Sequence, residues 1–108
     1  MEEREFNLHA DAMLARIETA LEVASESGIA DFDFETKPGG VIEIEFDNGS
    51  KIILNRHGAA REIWLAAKSG GYHFRPEGGR WLGTRDGEEL LAVLSRCISE
   101  QAGATINL

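Results

Sequence analysis

Apolar positions along this chain change period twice, dividing it into a helix, a run of strands and a second helix. From Glu3 to about Glu26, Phe6, Ala10, Met13, Leu14, Ile17, Leu21 and Ala24 recur at helical spacing and form one stripe. At about 100° per residue, Asp11, Glu18, Glu22 and Glu26 fall on a second stripe, well away from the first. The pattern predicts a helix with a core face and an acid face, stopped at Gly28.

The period then becomes two. Asp31-Phe32-Asp33-Phe34-Glu35 alternates acid and aromatic, which on a strand puts both rings inward and three carboxylates outward. After the turn Lys37-Pro38-Gly39-Gly40, the segment Val41 to Phe46 alternates again, with Ile42, Ile44 and Phe46 inward. Asp47-Asn48-Gly49-Ser50 carries a hairpin signal into a strand from Lys51 to Arg56. Further strands are predicted at Glu62–Ala67, Tyr72–Arg75 and Arg80–Leu82, separated by Ser69-Gly70-Gly71 and Glu77-Gly78-Gly79. A last helix is predicted from Asp86, capped by its side chain with Glu89 reaching back, and stopped by Gly103. Leu90, Leu91, Leu94, Cys97 and Ile98 give that helix its buried face. The expected class is α+β, an α-β sandwich. An antiparallel sheet of five or six strands carries the N- and C-terminal helices on one face and leaves the other to solvent. At 108 residues the chain has room for one domain, spanning 1–108.

Charge changes this picture by its placement. Residues 1–35 carry ten carboxylates against Arg4 and Arg16, a local net of −8, whereas the remaining 73 residues balance. A block confined to one segment points to a localised surface for cations or for a basic partner. With net charge −8 and no Lys/Arg cluster, neither nucleic acid nor an anionic membrane surface is an expected partner. Cys97 is the only cysteine, so no intramolecular disulfide forms. The acidic start MEEREF lacks the features of a targeting segment, and the expected location is the cytoplasm.

The acid stripe is the first candidate site. Glu18 and Glu22 are i,i+4 neighbours, as are Glu22 and Glu26, and such like-charge pairs cost a helix roughly 0.2–0.5 kcal/mol each. A multivalent cation or a basic protein surface would relieve that repulsion, and Asp31 and Asp33 on the next strand extend the patch. The plain alternative is a solvated face that keeps a small domain soluble. A metal held here would be a hard cation on exposed oxygens, bound weakly. Asp31-x-Asp33-x-Glu35 is no EF-hand, because Thr36 and Ile42 stand where Gly and Glu are required. His9, His57 and His73 are scattered and lack di-iron or zinc-protease spacing.

Trp64 is the second candidate. In Glu62-Ile63-Trp64-Leu65-Ala66 the period of two puts Ile63 and Leu65 on one face and Trp64 with Glu62 on the other. If the first pair faces the core, the indole is exposed as an interface anchor; the alternative is a Trp packed under a loop. No Gly-x-Ser-x-Gly, phosphate loop, dinucleotide fingerprint or Cys-x-x-Cys is present, and no catalytic site is predicted.

With these features placed, the chain resembles the bacterial frataxins. The resemblance is carried by Asn48-Gly49-Ser50-Lys51-Ile52-Ile53-Leu54-Asn55-Arg56 and by Ile63-Trp64-Leu65-Ala66-Ala67-Lys68-Ser69-Gly70-Gly71-Tyr72-His73-Phe74, with support from Glu5-Phe6, Ala10-Asp11 and Gln101-Ala102-Gly103. It implies a frataxin-like α-β sandwich and a non-enzymatic, iron-binding accessory role in iron–sulfur cluster assembly. Fe2+ and Fe3+ would bind weakly on an acidic ridge of Glu18, Glu22, Glu26, Asp31 and Asp33, with Asp11 and Glu35 as extensions. The implied partners are a cysteine desulfurase and its iron–sulfur scaffold protein, met through Glu18 and Glu22 on the ridge and through Trp64 and Asn55 on the sheet. The protein would act as an iron-dependent regulator, an iron donor or both, with no organic cofactor. The alternatives are an iron store or ferroxidase, and an acidic interaction module independent of metal. The expected state is a monomer that oligomerises, if at all, with iron. Thr19, Val23 and Ala24 interrupt the row of acids relative to many bacterial frataxins, and Glu62 stands where eukaryotic relatives have Gln.

Overall fold

A computed structural model describes all residues from Met1 to Leu108. Helix α1 runs Glu3–Glu26 and helix α2 Leu90–Ala102, and between them lie β1 (Phe32–Lys37), β2 (Val41–Phe46), β3 (Lys51–His57), β4 (Glu62–Ala67), β5 (Gly70–Glu77) and β6 (Arg80–Gly83). The six strands pair antiparallel in chain order. Short turns between successive strands leave no other economical pairing.

Alternation sets the two faces of this sheet. Ile42, Ile44, Phe46, Ile52, Leu54, Ile63, Leu65 and Phe74 are buried against the helices. From α1 the stripe Phe6, Ala10, Leu14, Ile17 and Leu21 meets them, and α2 contributes Leu90, Leu91, Val93, Leu94, Cys97 and Ile98. Each large side chain removed from water here contributes about 1.5–3 kcal/mol. Phe6 and Trp81 meet edge to face at 5.8 Å and tie α1 to β6. Phe32 is buried as the alternation requires, but Phe34 is only half-buried, because β1 is an edge strand with little above its outer half.

Two local expectations fail for identifiable reasons. Ser69-Gly70-Gly71 is not all turn: Lys68 and Ser69 alone reverse the chain, and Gly70 and Gly71 already pair with Ala67 and Ala66. Asp86 does not cap α2. Its Oδ1 accepts from the Glu88 backbone N–H at 3.1 Å, an Asx turn that delays the helix to Leu90.

Gln101, half of the buried polar set with Glu62, fastens α2 to the sheet. Its Nε2 donates to the Ser50 hydroxyl at 3.0 Å and the Lys51 carbonyl at 3.2 Å, while its Oε1 accepts from the Lys68 backbone N–H at 3.0 Å. Asn48 completes the clamp, donating from Nδ2 to the Gln101 carbonyl at 2.8 Å. One helix end thereby fixes both the β2–β3 and β4–β5 turns, and with them the register of the outer face. No helix is long and apolar enough to cross a membrane.

Candidate functional site

The acid stripe is built by α1 alone up to Glu26 and continued by the entry into β1. Glu22, Glu26, Asp31 and Asp33 are exposed, and Glu18 is half-buried at the margin of the core stripe. These five carboxylates have no basic side chain within 4 Å, whereas their neighbours do. Asp11 is engaged by Arg56 Nη1, Glu35 lies 3.9 Å from Lys37 Nζ, and Glu45 lies 3.6 Å from Lys51 Nζ. The two residues expected as extensions of the ridge are therefore partly neutralised, and the five expected as its body are not.

Glu43 shows the contrast on the same sheet. It takes Lys37 at 2.7 Å and Lys51 at 3.0 Å, and the two hydrogen bonds hold its carboxyl below the usual range. Near the ridge, a shallow groove between the start of β1 and the end of β2 is lined by Asp31, Asp33, Glu45 and Asp47, with Asp33 directly opposite Glu45. Nowhere do three His, Cys, Asp or Glu side chains converge in the manner of a chelating cage. What the ridge offers is a line of separate oxygen donors, suited to hard cations that keep much of their water and to a basic protein surface.

The outer sheet face carries a different kind of site. Ile63 and Leu65 face the core, so Trp64 points to the opposite side, as the alternation predicts. It is not a free indole, however. Its ring is stacked between His57, at a centroid distance of 3.9 Å, and His73, at 4.3 Å, and the residue is half-buried. The indole Nε1 donates to Glu62 Oε1 at 2.7 Å.

Glu62 organises this face. It is 6% exposed, and its other oxygen accepts from Arg75 Nε at 3.1 Å while His73 Nδ1 lies 3.4 Å from Oε1. Burial pushes the Glu62 carboxyl up, but hydrogen bonds from Trp64 and Arg75 and the charges of His73 and Arg75 outweigh it, leaving the group below its ordinary value. On the far side, His57 Nδ1 accepts from the Ala60 backbone N–H at 3.3 Å, which sets that ring's orientation. Asn55 pairs with Trp64 across β3 and β4, so both expected contact residues share one row. Ile53, on the same face of β3, is 38% exposed.

Sequence reasoning placed Glu62 as an ordinary outward polar residue and the histidines as scattered. The signal that joins them lies in the pairing: His57 sits opposite Glu62, and Trp64 opposite His73. Cys97 is buried, and burial pushes its thiol up, in keeping with a small core residue.

Comparison with known proteins adds a family context. Residues 1–104 match the family model described as a frataxin-like domain. An iron–sulfur cluster assembly protein CyaY from Dechloromonas aromatica is 54% identical over 108 residues, covering 100% of this chain and 99% of the relative. A protein of the same name from Cupriavidus taiwanensis is 48% identical over 107 residues, covering 99% and 96%. Among solved structures, frataxin from Psychromonas ingrahamii superposes with a TM-score of 0.81 at 31% identity, covering 99% of this chain and 97% of that one. Trimeric frataxin from Saccharomyces cerevisiae, complexed with ferrous iron, gives 0.76 at 27% identity, covering 88% and 86%.

Proposed function

The chain belongs to the frataxin-like family, and from that premise we propose that it is a non-enzymatic accessory protein of iron–sulfur cluster assembly in the cytoplasm. Its ridge of Glu18, Glu22, Glu26, Asp31 and Asp33 binds Fe2+ and Fe3+ weakly and docks on a basic surface of the cysteine desulfurase and its scaffold. Trp64 and Asn55 form a second contact on the sheet. The observation that carries this reading is the selective lack of partners: the five ridge carboxylates stand free of basic side chains, while Asp11, Glu35 and Glu43 around them are paired.

Like charges spaced one turn apart on α1 repel, and either a multivalent cation or a cluster of Lys/Arg relieves that repulsion on binding. Because the oxygens are exposed and hydrated, a single iron gains little over water, so binding is weak and exchange is open, as suits a cargo ion. Attraction between exposed charges is screened over about 8–10 Å, so docking weakens as salt rises. The indole anchors the second contact at low entropic cost, because His57 and His73 already hold its ring.

The test is sulfide release by the cognate cysteine desulfurase and scaffold, with and without this protein, each with and without Fe2+. A rate that changes with the protein, and more so with iron, is expected. A rate unchanged in every condition overturns the regulatory role. The double variant Glu18→Lys/Glu22→Lys is expected to abolish the complex with the fold intact by circular dichroism, and unchanged affinity would remove the ridge from docking.

A further inference from the structure

On the flank of α1 away from the ridge, a cleft of about 260 Å³ opens between the helix and the β5–β6 hairpin. Arg16 and His9 on the helix and Arg80 on the hairpin line it, above a floor that includes Met13 and Trp81. At about 100° per residue, Arg16 and His9 lie at least about 120° around α1 from Glu18 and Glu22, so the cleft opens on a different flank of the helix from those two ridge carboxylates.

Three features mark this cleft as more than surface relief. Arg16, like Arg4 and Arg85, has no carboxylate partner, whereas Arg56, Arg61, Arg75, Arg80 and Arg96 do. Arg80 reaches only the exposed Glu89, at 3.5 Å, an ion pair that costs little to exchange for a ligand. Glu77 also lines the cleft, so its formal side-chain charge is +1 with His9 neutral, in a protein whose total is −8. The hairpin wall turns at Gly78 and Gly79, with φ values of 58° and 80°, and the floor indole is 3% exposed and braced by Phe6.

We infer that this cleft binds a small organic di- or tricarboxylate. Two guanidinium groups each match a carboxylate in a two-pronged pair, and the apolar floor takes the short carbon body between them. At about 260 Å³ the cleft is smaller than the roughly 300–1,000 Å³ clefts that hold drug-sized ligands, a size that suits a small acid. The site is independent of the ridge and of iron.

The experiment is a titration of the metal-free, full-length, 15N-labelled protein with tricarballylate, followed by backbone and indole N–H shifts. Saturable shifts centred on Gly78, Gly79, Arg80 and the Trp81 indole are expected. Affinity should fall about tenfold or more in Arg16→Ala, the effect of losing one charge-assisted pair. Glu18→Lys/Glu22→Lys, which changes net charge but not the cleft, should retain the same shift pattern. Acetate should not saturate the site. Absence of saturable shifts, equal affinity in Arg16→Ala, or inorganic phosphate binding as tightly as tricarballylate would each overturn the inference, the last by showing a general anion site.

Discussion

The ridge and the Trp64 face present the same residue type, a glutamate, in opposite states. On the ridge, Glu18, Glu22 and Glu26 meet no basic group and are held apart only by the helix. On the sheet, Glu62 is buried and receives Trp64 and Arg75 in hydrogen bonds of 2.7 and 3.1 Å. A carboxylate left unpaired is available to a ligand or partner; one saturated from within organises its neighbours instead. The protein thus separates an open electrostatic surface from a pre-shaped aromatic one, and the two respond differently to mutation, pH and salt.

Removing Glu62 is the sharpest test of that separation. Glu62→Ala leaves the indole N–H and Arg75 without their acceptor, and a loss of about 2–3 kcal/mol is expected, read as a fall in urea midpoint at constant slope. Glu22→Ala on the ridge should cause no loss in the same assay, because it removes two like-charge contacts and no partner. Equal losses at the two sites would erase the distinction.

Next in size is the stack. His57→Ala opens one face of the indole and should cost about 0.5–1.5 kcal/mol, with Trp64 emission moving to longer wavelength as water reaches the ring. No change in emission would mean that His57 does not shield it.

Acid should act on the sheet face in the same direction. Glu62 is held below its ordinary value of 4.5, so its share of stability is complete above that pH and is lost as pH falls through the lower, folded value. Between about pH 6 and pH 3, the stability of Glu62→Gln should therefore fall less steeply than that of the parent protein. Parallel curves would show that Glu62 is not held in its ionised form by the fold.

The smallest effect is expected on the ridge. Glu22→Gln removes two i,i+4 repulsions and should stabilise the protein by about 0.4–1 kcal/mol at low salt, falling to roughly half of that near 0.15 M, where the screening length of about 8 Å still exceeds the spacing of about 5–6 Å. Destabilisation at low salt would mean that Glu22 has a partner the geometry does not show.

How far the sequence carries depends on the range of the interaction involved. Period and turn chemistry are local, so the helices, the six strands within a few residues, and the burial of Phe6, Ile17, Ile44 and Leu65 were all legible. The ridge was legible too, because Glu18, Glu22 and Glu26 are placed by one helix and Asp31 and Asp33 by the strand that follows. Local signals misled at Asp86, where an Asx turn competes with a cap for the same side-chain oxygen, and at Gly70, where glycine proved to be strand rather than turn.

The Trp64 face required tertiary structure. His57, Glu62, Trp64, His73 and Arg75 come from three strands, and only pairing across two turns sets the rings in contact and buries the carboxylate between its donors. Gln101 decides that pairing in part from the opposite layer, by fixing the turns beside Ser50 and Lys68. The sequence by itself determined which segments fold, which faces are apolar and where the negative charge lies, since each follows from neighbours a few residues apart. Which carboxylates stay free, which one is buried, and that two distant histidines enclose one indole were decided by the tertiary structure, because desolvation and pairing depend on groups that only the packed sheet brings together.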